Sequence, residues 1–177
     1  MQTMKRLFPL IVLTVAFVGC YMLVSSCSIS YKFNGASIDY SKVKTLSITD
    51  FPNRAALVYP ELAPKFNDKL RDIYSRQTRL QSVSRNGDLN IEGAITGYTL
   101  QPLAIGQDAL AAQTRLTLSI HVEFTNNVDP NTNFERTFSA NRTFDSSNTL
   151  EDVQESLCEE LIEEIVEQIF NETVSNW

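Results

Sequence analysis

The chain has 177 residues, 43% of them hydrophobic and 20% charged, with 15 Lys and Arg against 21 Asp and Glu for a net charge of −6. That length suffices for one compact domain with a proper core. An acidic surface repels nucleic acid and anionic membrane at long range, so no nucleic-acid partner is expected, and any anionic ligand must be met by a local cluster of Arg or Lys.

Lys5 and Arg6 precede an uncharged apolar segment from Leu7 to Val24, followed by Ser25 and Ser26. This is the order of a basic n-region, an h-region and a cleavage zone. Its 18 residues also reach the lower limit for a membrane span, so an uncleaved anchor competes with a leader. Pro9 disfavours one uninterrupted helix, and a small residue stands directly before each of Cys20 and Cys27. Both features favour a lipoprotein signal peptide over residues 1–26. Cleavage before Cys20 would leave the bulky Phe17 upstream and expose Tyr21-Met22-Leu23-Val24 as an apolar tail, whereas cleavage before Cys27 leaves Val24-Ser25-Ser26 upstream and a polar tail. Cys27 is therefore the expected lipidation site. A diacylglycerol on its sulfur and a further acyl chain on the new amine give stable anchoring where one chain binds only marginally. Cys20 then departs with the leader and Cys158 has no partner, so no disulfide is expected. Loss of Lys5 and Arg6 takes the mature chain, residues 27–177, from −6 to −8.

Residues 27–41, rich in Ser with Asn34 and Gly35, read as a lipidated tether, and residues 42–177 as the domain. Val43 to Phe51 has β-branched residues and partial alternation and ends at Pro52-Asn53, which predicts a first strand. Leu62, Phe66, Leu70, Ile73 and Tyr74 recur at helical spacing, and Pro64 moves the expected start of that helix from Pro60 towards Ala63. The triplet Asn86-Gly87-Asp88 supplies a turn. Leu89, Ile91 and Ile95 then alternate with polar residues until Gly97, after which Tyr98 and Leu100 take the opposite parity, the mark of a bulge in one long bent strand. In "RLTLSIHVEFT" the residues Leu116, Leu118, Ile120, Val122 and Phe124 alternate with polar ones, which predicts a half-buried antiparallel strand. Asp129-Pro130-Asn131 turns the chain into a fourth strand, "NFERTFSANRTF". Thr149 and Asp152 form a capping box, and Leu150, Val153, Leu157, Leu161, Ile165, Ile169 and Val174 carry a long C-terminal helix. The expected fold is α+β, a four-stranded mixed sheet with two helices packed on one face.

The residues that could carry chemistry do not assemble a reaction centre. From Glu151 to Glu172 the last helix carries nine carboxylates and neither Lys nor Arg. Glu159/Glu163 and Glu160/Glu164 stand at i,i+4, where a divalent cation could be shared, but a solvated acidic face is the simpler reading. His121 is the only histidine and has no second His, Cys or Ser-Gly elbow to work with, which excludes a zinc site or a nucleophilic triad around it. Gly93 and Gly97 lie inside a strand, unlike the glycines of phosphate loops. Carboxylates on one helix face do not converge as a hydrolase requires. Neither enzyme activity, metal nor cofactor is expected. Arg115, Arg136 and Arg142 fall on the hairpin strands, where pairing with Glu92, Glu123 or Glu135 is the ordinary explanation. Arg76, Arg79 and Arg85 cluster after the first helix and form the candidate anion contact, because guanidinium suits bidentate phosphate recognition.

The whole mature chain resembles the LptE family of lipopolysaccharide-assembly lipoproteins in its Bacteroidetes form. The likeness rests on Cys27 followed by "SISYKFNGASI", on "VKTLSITDFPNRA", "GDLNIEGAITGYTLQPLAI", "RLTLSIHVEFTN" and "FERTFSANRTFDSS", and on the end "LIEEIVEQIFNETVSNW". It implies a protein anchored in the inner leaflet of the outer membrane that plugs the LptD barrel, supports its assembly and helps deliver lipopolysaccharide to the outer leaflet. Ser28 after Cys27 lacks both the aspartate that retains lipoproteins at the inner membrane and an acidic export run, which agrees with the periplasmic face of the outer membrane. The strongly acidic surface is a departure that favours the plug role over broad lipid A contact. An auxiliary lipoprotein of an ABC-type lipid transport system, with a similar α+β form, is the competing reading.

Overall fold

The computed structural model describes residues 38–103 and 113–174. The expected signal peptide, Cys20, Cys27 and most of the expected tether lie outside the described residues. Ile38, the first described residue, is buried in the core with Val43.

The elements run β1 (Thr45–Ile48), α1 (Leu62–Gln77), β2 (Gln81–Val83), β3 (Leu89–Leu103), β4 (Gln113–Asn126), a 3-10 turn (Pro130–Thr132), β5 (Phe134–Asp145) and α2 (Leu150–Val174). The sheet is mixed, as expected, but has five strands in the order β2-β1-β3-β4-β5. The strand absent from the sequence expectation is β2, three residues pairing in parallel with β1 at Thr45↔Gln81 and Ser47↔Val83. Two of its three side chains are exposed, so no apolar alternation marks it; backbone pairing to a strand 36 positions away is what makes it a strand.

β1 is shorter than the run Val43 to Phe51 because the backbone leaves the ladder after Ile48. It rejoins β3 through Thr49 N–H to Ile91 O and Ile95 N–H to Pro52 O, both at 3.0 Å. The excursion turns Phe51 into the core, where the Asn67 side chain accepts from its N–H at 2.8 Å and donates to its carbonyl at 3.3 Å. Phe51 also packs edge-on against Phe66 of α1. Gly93 makes this possible: a Cβ there would lie 2.5 Å from the Phe51 ring and 2.0 Å from the His121 carbonyl.

In α1 the first turn contains Pro64, whose missing N–H is one of the four that an α-helix leaves unpaired anyway, so the helix starts at Leu62 without loss. The parity switch in β3 is a true bulge. Ile95 faces Ile120 and Gly97 faces Ser119, leaving Thr96 as the extra residue. Leu116, Leu118, Ile120 and Val122 of β4 are fully buried and Phe124 is 2% exposed. They share a face with Leu89, Ile91 and Ile95, and both helices cover that face. Along β4 and β5 the other face carries Thr, Ser, Asn, Gln and Glu together with Arg115 and His121.

The turn before β3 is fixed by charge. Asp88 Oδ2 accepts from the backbone N–H of Lys44 at 2.8 Å and of Thr45 at 2.9 Å, while Thr45 Oγ1 accepts from Asp88 N–H. These donors hold the Asp88 carboxyl below the usual carboxylate range. A depressed folded value means that the stability it supplies is present above its unfolded value, near ~3.9, and disappears as pH falls through the folded value. Asp88→Ala is expected to cost about 1–2 kcal/mol at pH 7. In urea titrations the gap between variant and wild type should narrow as pH drops below about 4; a gap independent of pH would show that the carboxylate charge is irrelevant to the turn.

Candidate functional site

The surface chemistry is organised around α2. Thr149 and Asp152 close the expected capping box, Thr149 N–H donating to Asp152 Oδ2 at 3.1 Å and Asp152 N–H to Thr149 Oγ1 at 3.3 Å. From there the buried positions Cys158, Leu161, Ile162, Ile165, Val166, Ile169, Phe170 and Thr173 form one stripe with i, i+3/i+4 spacing. Tyr74 of α1 stacks edge-on against Phe170 and its hydroxyl bonds Thr173 Oγ1, tying the far ends of the helices together.

The carboxylates flank this stripe in two columns, and neither is simply solvated. On one side Glu155 and Glu163 meet Lys65 and Lys69 of α1, each at 2.9 Å, with Glu159 3.8 Å from Lys65. On the other, Arg142 of β5 spans two turns, donating from Nε to Glu160 at 2.8 Å and from Nη1 to Glu164 at 2.7 Å, and Arg136 meets Glu172 at 2.7 Å. The pair Glu160/Glu164 does share a cation, and the cation is a guanidinium. Its two carboxylate bonds raise the Arg142 pKa, and the bond from Lys65 lowers that of Glu155. Among the described residues no group of three or more His, Cys, Asp or Glu side chains is arranged to hold a metal ion.

Two of the three hairpin arginines, Arg136 and Arg142, thus pair with the helix and not with Glu92, Glu123 or Glu135. Sequence reasoning missed this, although a signal exists: Arg136 and Arg142 share the parity of the buried Phe138 and Ala140, and a charge at an inward position needs a partner from the covering layer. The open face instead sets Glu92 opposite Glu123 and Glu123 opposite Glu135. Neither Lys nor Arg contacts this row among the described residues; His121 Nε2 lies 3.0 Å from Glu135. Arg115, on the same face, buries its Nε without a partner.

The three candidate anion-binding arginines are differently placed. Arg76, in the last turn of α1, is exposed and paired with Asp72 at 2.7 Å. Arg79 lies over the Tyr40 ring at 5.9 Å, and Arg85 is exposed in the turn that follows β2. No described contact joins the three. Cys158 is fully buried against the Tyr98 hydroxyl, 3.3 Å away, which also accepts from Gln154 Nε2 at 2.8 Å. Burial pushes both the thiol and the phenol up, so neither is a nucleophile at neutral pH. Leu57 and Val58 stand exposed in the loop leading into α1.

A mixed five-stranded sheet with two helices on one face and polar side chains along the other face of β4 and β5 defines a small α+β domain. The LptE lipopolysaccharide-assembly model matches residues 43–173, and the chain belongs to that family. Among solved structures it is similar to the hypothetical protein CT253 from Chlamydia trachomatis, with 9% identity over 76% of this chain and 99% of that one and a TM-score of 0.51. A minor lipoprotein from Acinetobacter baumannii (17% identity, 74% and 92% coverage, TM-score 0.48) and uncharacterized lipoprotein B from Nitrosomonas europaea (16%, 75% and 83%, TM-score 0.49) also match. At these identities the likeness is one of fold. A search among curated proteins gives no match.

Replacing Arg142 by Met should leave Glu160 and Glu164 facing each other on adjacent turns. A loss of about 1 kcal/mol is expected at low ionic strength, shrinking in about 0.5 M salt. Thermal melts at the two salt concentrations check this, and a salt-independent loss would assign the effect to packing of the arginine stem.

Proposed function

We propose that this protein is an outer-membrane lipoprotein, anchored through Cys27 on the periplasmic face, that plugs an LptD-type barrel, supports its assembly and assists lipopolysaccharide transport to the outer leaflet. The observation that carries the reading is the family match over residues 43–173 on a domain whose open sheet face is polar along β4 and β5. The interior of a large outer-membrane barrel is itself polar and water-lined, so a plug needs such a surface where it meets the wall. Arg76, Arg79 and Arg85 are the proposed contacts for lipopolysaccharide phosphates. Of these Arg79 is the best placed, since its guanidinium rests on an aromatic ring and is not committed to a carboxylate.

Affinity capture of the full-length chain after detergent extraction is expected to recover a large outer-membrane barrel. Recovery of an inner-membrane permease and ATPase would instead support an auxiliary lipoprotein of an ABC-type lipid transport system, and recovery of no barrel would sink the plug. The anchor has its own test in intact mass measurement. Cys27→Ala should abolish the mass increment of the lipid; unchanged lipidation would move the site to Cys20.

A further inference from the structure

The sheet ends at β5, and no described strand pairs with its outer side. The register tells which backbone groups are left open there. The His121 carbonyl faces β3, being 2.0 Å from where a Gly93 Cβ would stand, whereas Asn126 N–H turns to the hairpin side and is accepted by Asn133 Oδ1 at 2.7 Å. Along a strand, alternate residues direct their N–H and C=O to opposite neighbours. Even-numbered residues of β4 therefore bond to β5, and their register partners there are also even-numbered, as in Leu118↔Ala140 and Leu116↔Arg142. The odd-numbered residues Glu135, Thr137, Ser139, Asn141 and Thr143 direct N–H and C=O away from the sheet, where the Asn141 carbonyl accepts from Arg142 Nη1 at 3.0 Å and an added strand would have to displace that bond.

Beside this edge runs a shallow, open groove of about 590 Å³ between β5 and α2, lined by Arg136, Phe138 and Ser139 on the strand and Gln168, Asn171 and Glu172 on the helix. A strand laid along β5 would turn alternate side chains into that groove, where they meet amides and clamped ion pairs. We propose that the β5 edge is a strand-addition site, taking an extended segment of a different protein as the sixth strand of the sheet. The recognised chemistry is an open backbone with hydroxyl, amide or basic side chains at the positions facing α2. Apolar side chains there would bury the Arg136 and Arg142 pairs against hydrocarbon, and acidic ones would face the carboxylate column Glu160, Glu164 and Glu172.

A second copy fits badly. Two-fold antiparallel pairing centred on Ser139 sets Arg136 opposite the other copy's Arg142, and any two-fold of this kind places both helix layers on one side with their acidic columns adjacent. The inference extends the plug reading without requiring it, because strand addition holds for any partner with a free extended segment.

The test uses the full-length chain in cells with a photo-crosslinking amino acid at Asn141, and mass spectrometry of the product. The expected result is one extended segment of another protein. Thr137→Pro removes an outward N–H without breaking the β4 ladder. It should cut the crosslink roughly tenfold, the equivalent of one or two backbone hydrogen bonds, while Thr137→Ala leaves it unchanged. Moving the probe to Thr143 and the proline to Ser139 repeats the measurement if the first variant does not fold. A crosslink within the same chain, a dimer of the chain, no crosslink, or one indifferent to proline would each overturn the proposal. A barrel captured while the β5 probe stays silent sinks strand addition and leaves the plug; a crosslink to a protein other than a barrel does the reverse.

Discussion

One-sided burial of the sheet is the constraint from which the rest of the molecule follows. The five apolar inward positions of β4 are buried, and the same face of β3 contributes Leu89, Ile91, Ile95 and Tyr98. Because side chains alternate strictly, a slip of one residue would exchange this face for Thr117, Ser119, His121 and Glu123. The bulge at Thr96 is what lets β3 keep the arrangement over 15 residues, since it restores Tyr98 to the core side after Gly97. Ile95 and Tyr98, three positions apart, can then both be fully buried.

A face of that size needs two helices, and the second of them is strongly acidic. The apolar stripe of α2 lies between two carboxylate columns that remain largely open to solvent. Cations reach them from elements brought in by the fold, Lys65 and Lys69 from α1 and Arg136 and Arg142 from β5. Each exposed pair is individually weak. Their collective effect is orientational, because charge pairing on both flanks favours the same rotation of α2 about its axis that burial of the stripe sets. The lysine pair stands at i,i+4 on α1 and matches the i+4 spacing of Glu159 and Glu163, which requires the two helices to lie side by side over that stretch.

What could be read from the sequence divides along the same physical line. The alternation of β4, the bulge at Gly97, the capping box at Thr149 and the helical rhythm of α1 are local patterns within a few residues, and all are present in the structure. β2 was illegible because its strand character comes from pairing with β1, not from its own side chains. The partners of the α2 carboxylates were illegible for a similar reason: the acidic face was plain, but Lys65 lies 90 positions from Glu155, and nothing local shows that distance closing. At β5 the misreading was one of face. The arginines were assigned to neighbouring strands when their parity placed them under the helix. Likewise, Arg76, Arg79 and Arg85 are neighbours in sequence, yet Asp72 and Tyr40 hold the first two by separate contacts.

The two sides of the sheet also treat charge oppositely, and this bears on what can cover the open face. Glu92, Glu123 and Glu135 lie directly across from one another, an arrangement that destabilises a sheet, whereas six carboxylates of α2 are paired with Lys or Arg. Such a row is tolerable while water screens it and becomes expensive in a low-dielectric surrounding. Arg115, with its buried and unpartnered Nε, adds a second polar group that an apolar cover would strand further. An acyl layer or an apolar protein surface on this face would therefore raise the energy of the folded state. A hydrated wall, or one carrying Lys or Arg opposite the glutamates, would lower it. The open face is in this sense selective before any partner arrives, and its selection is against hydrocarbon.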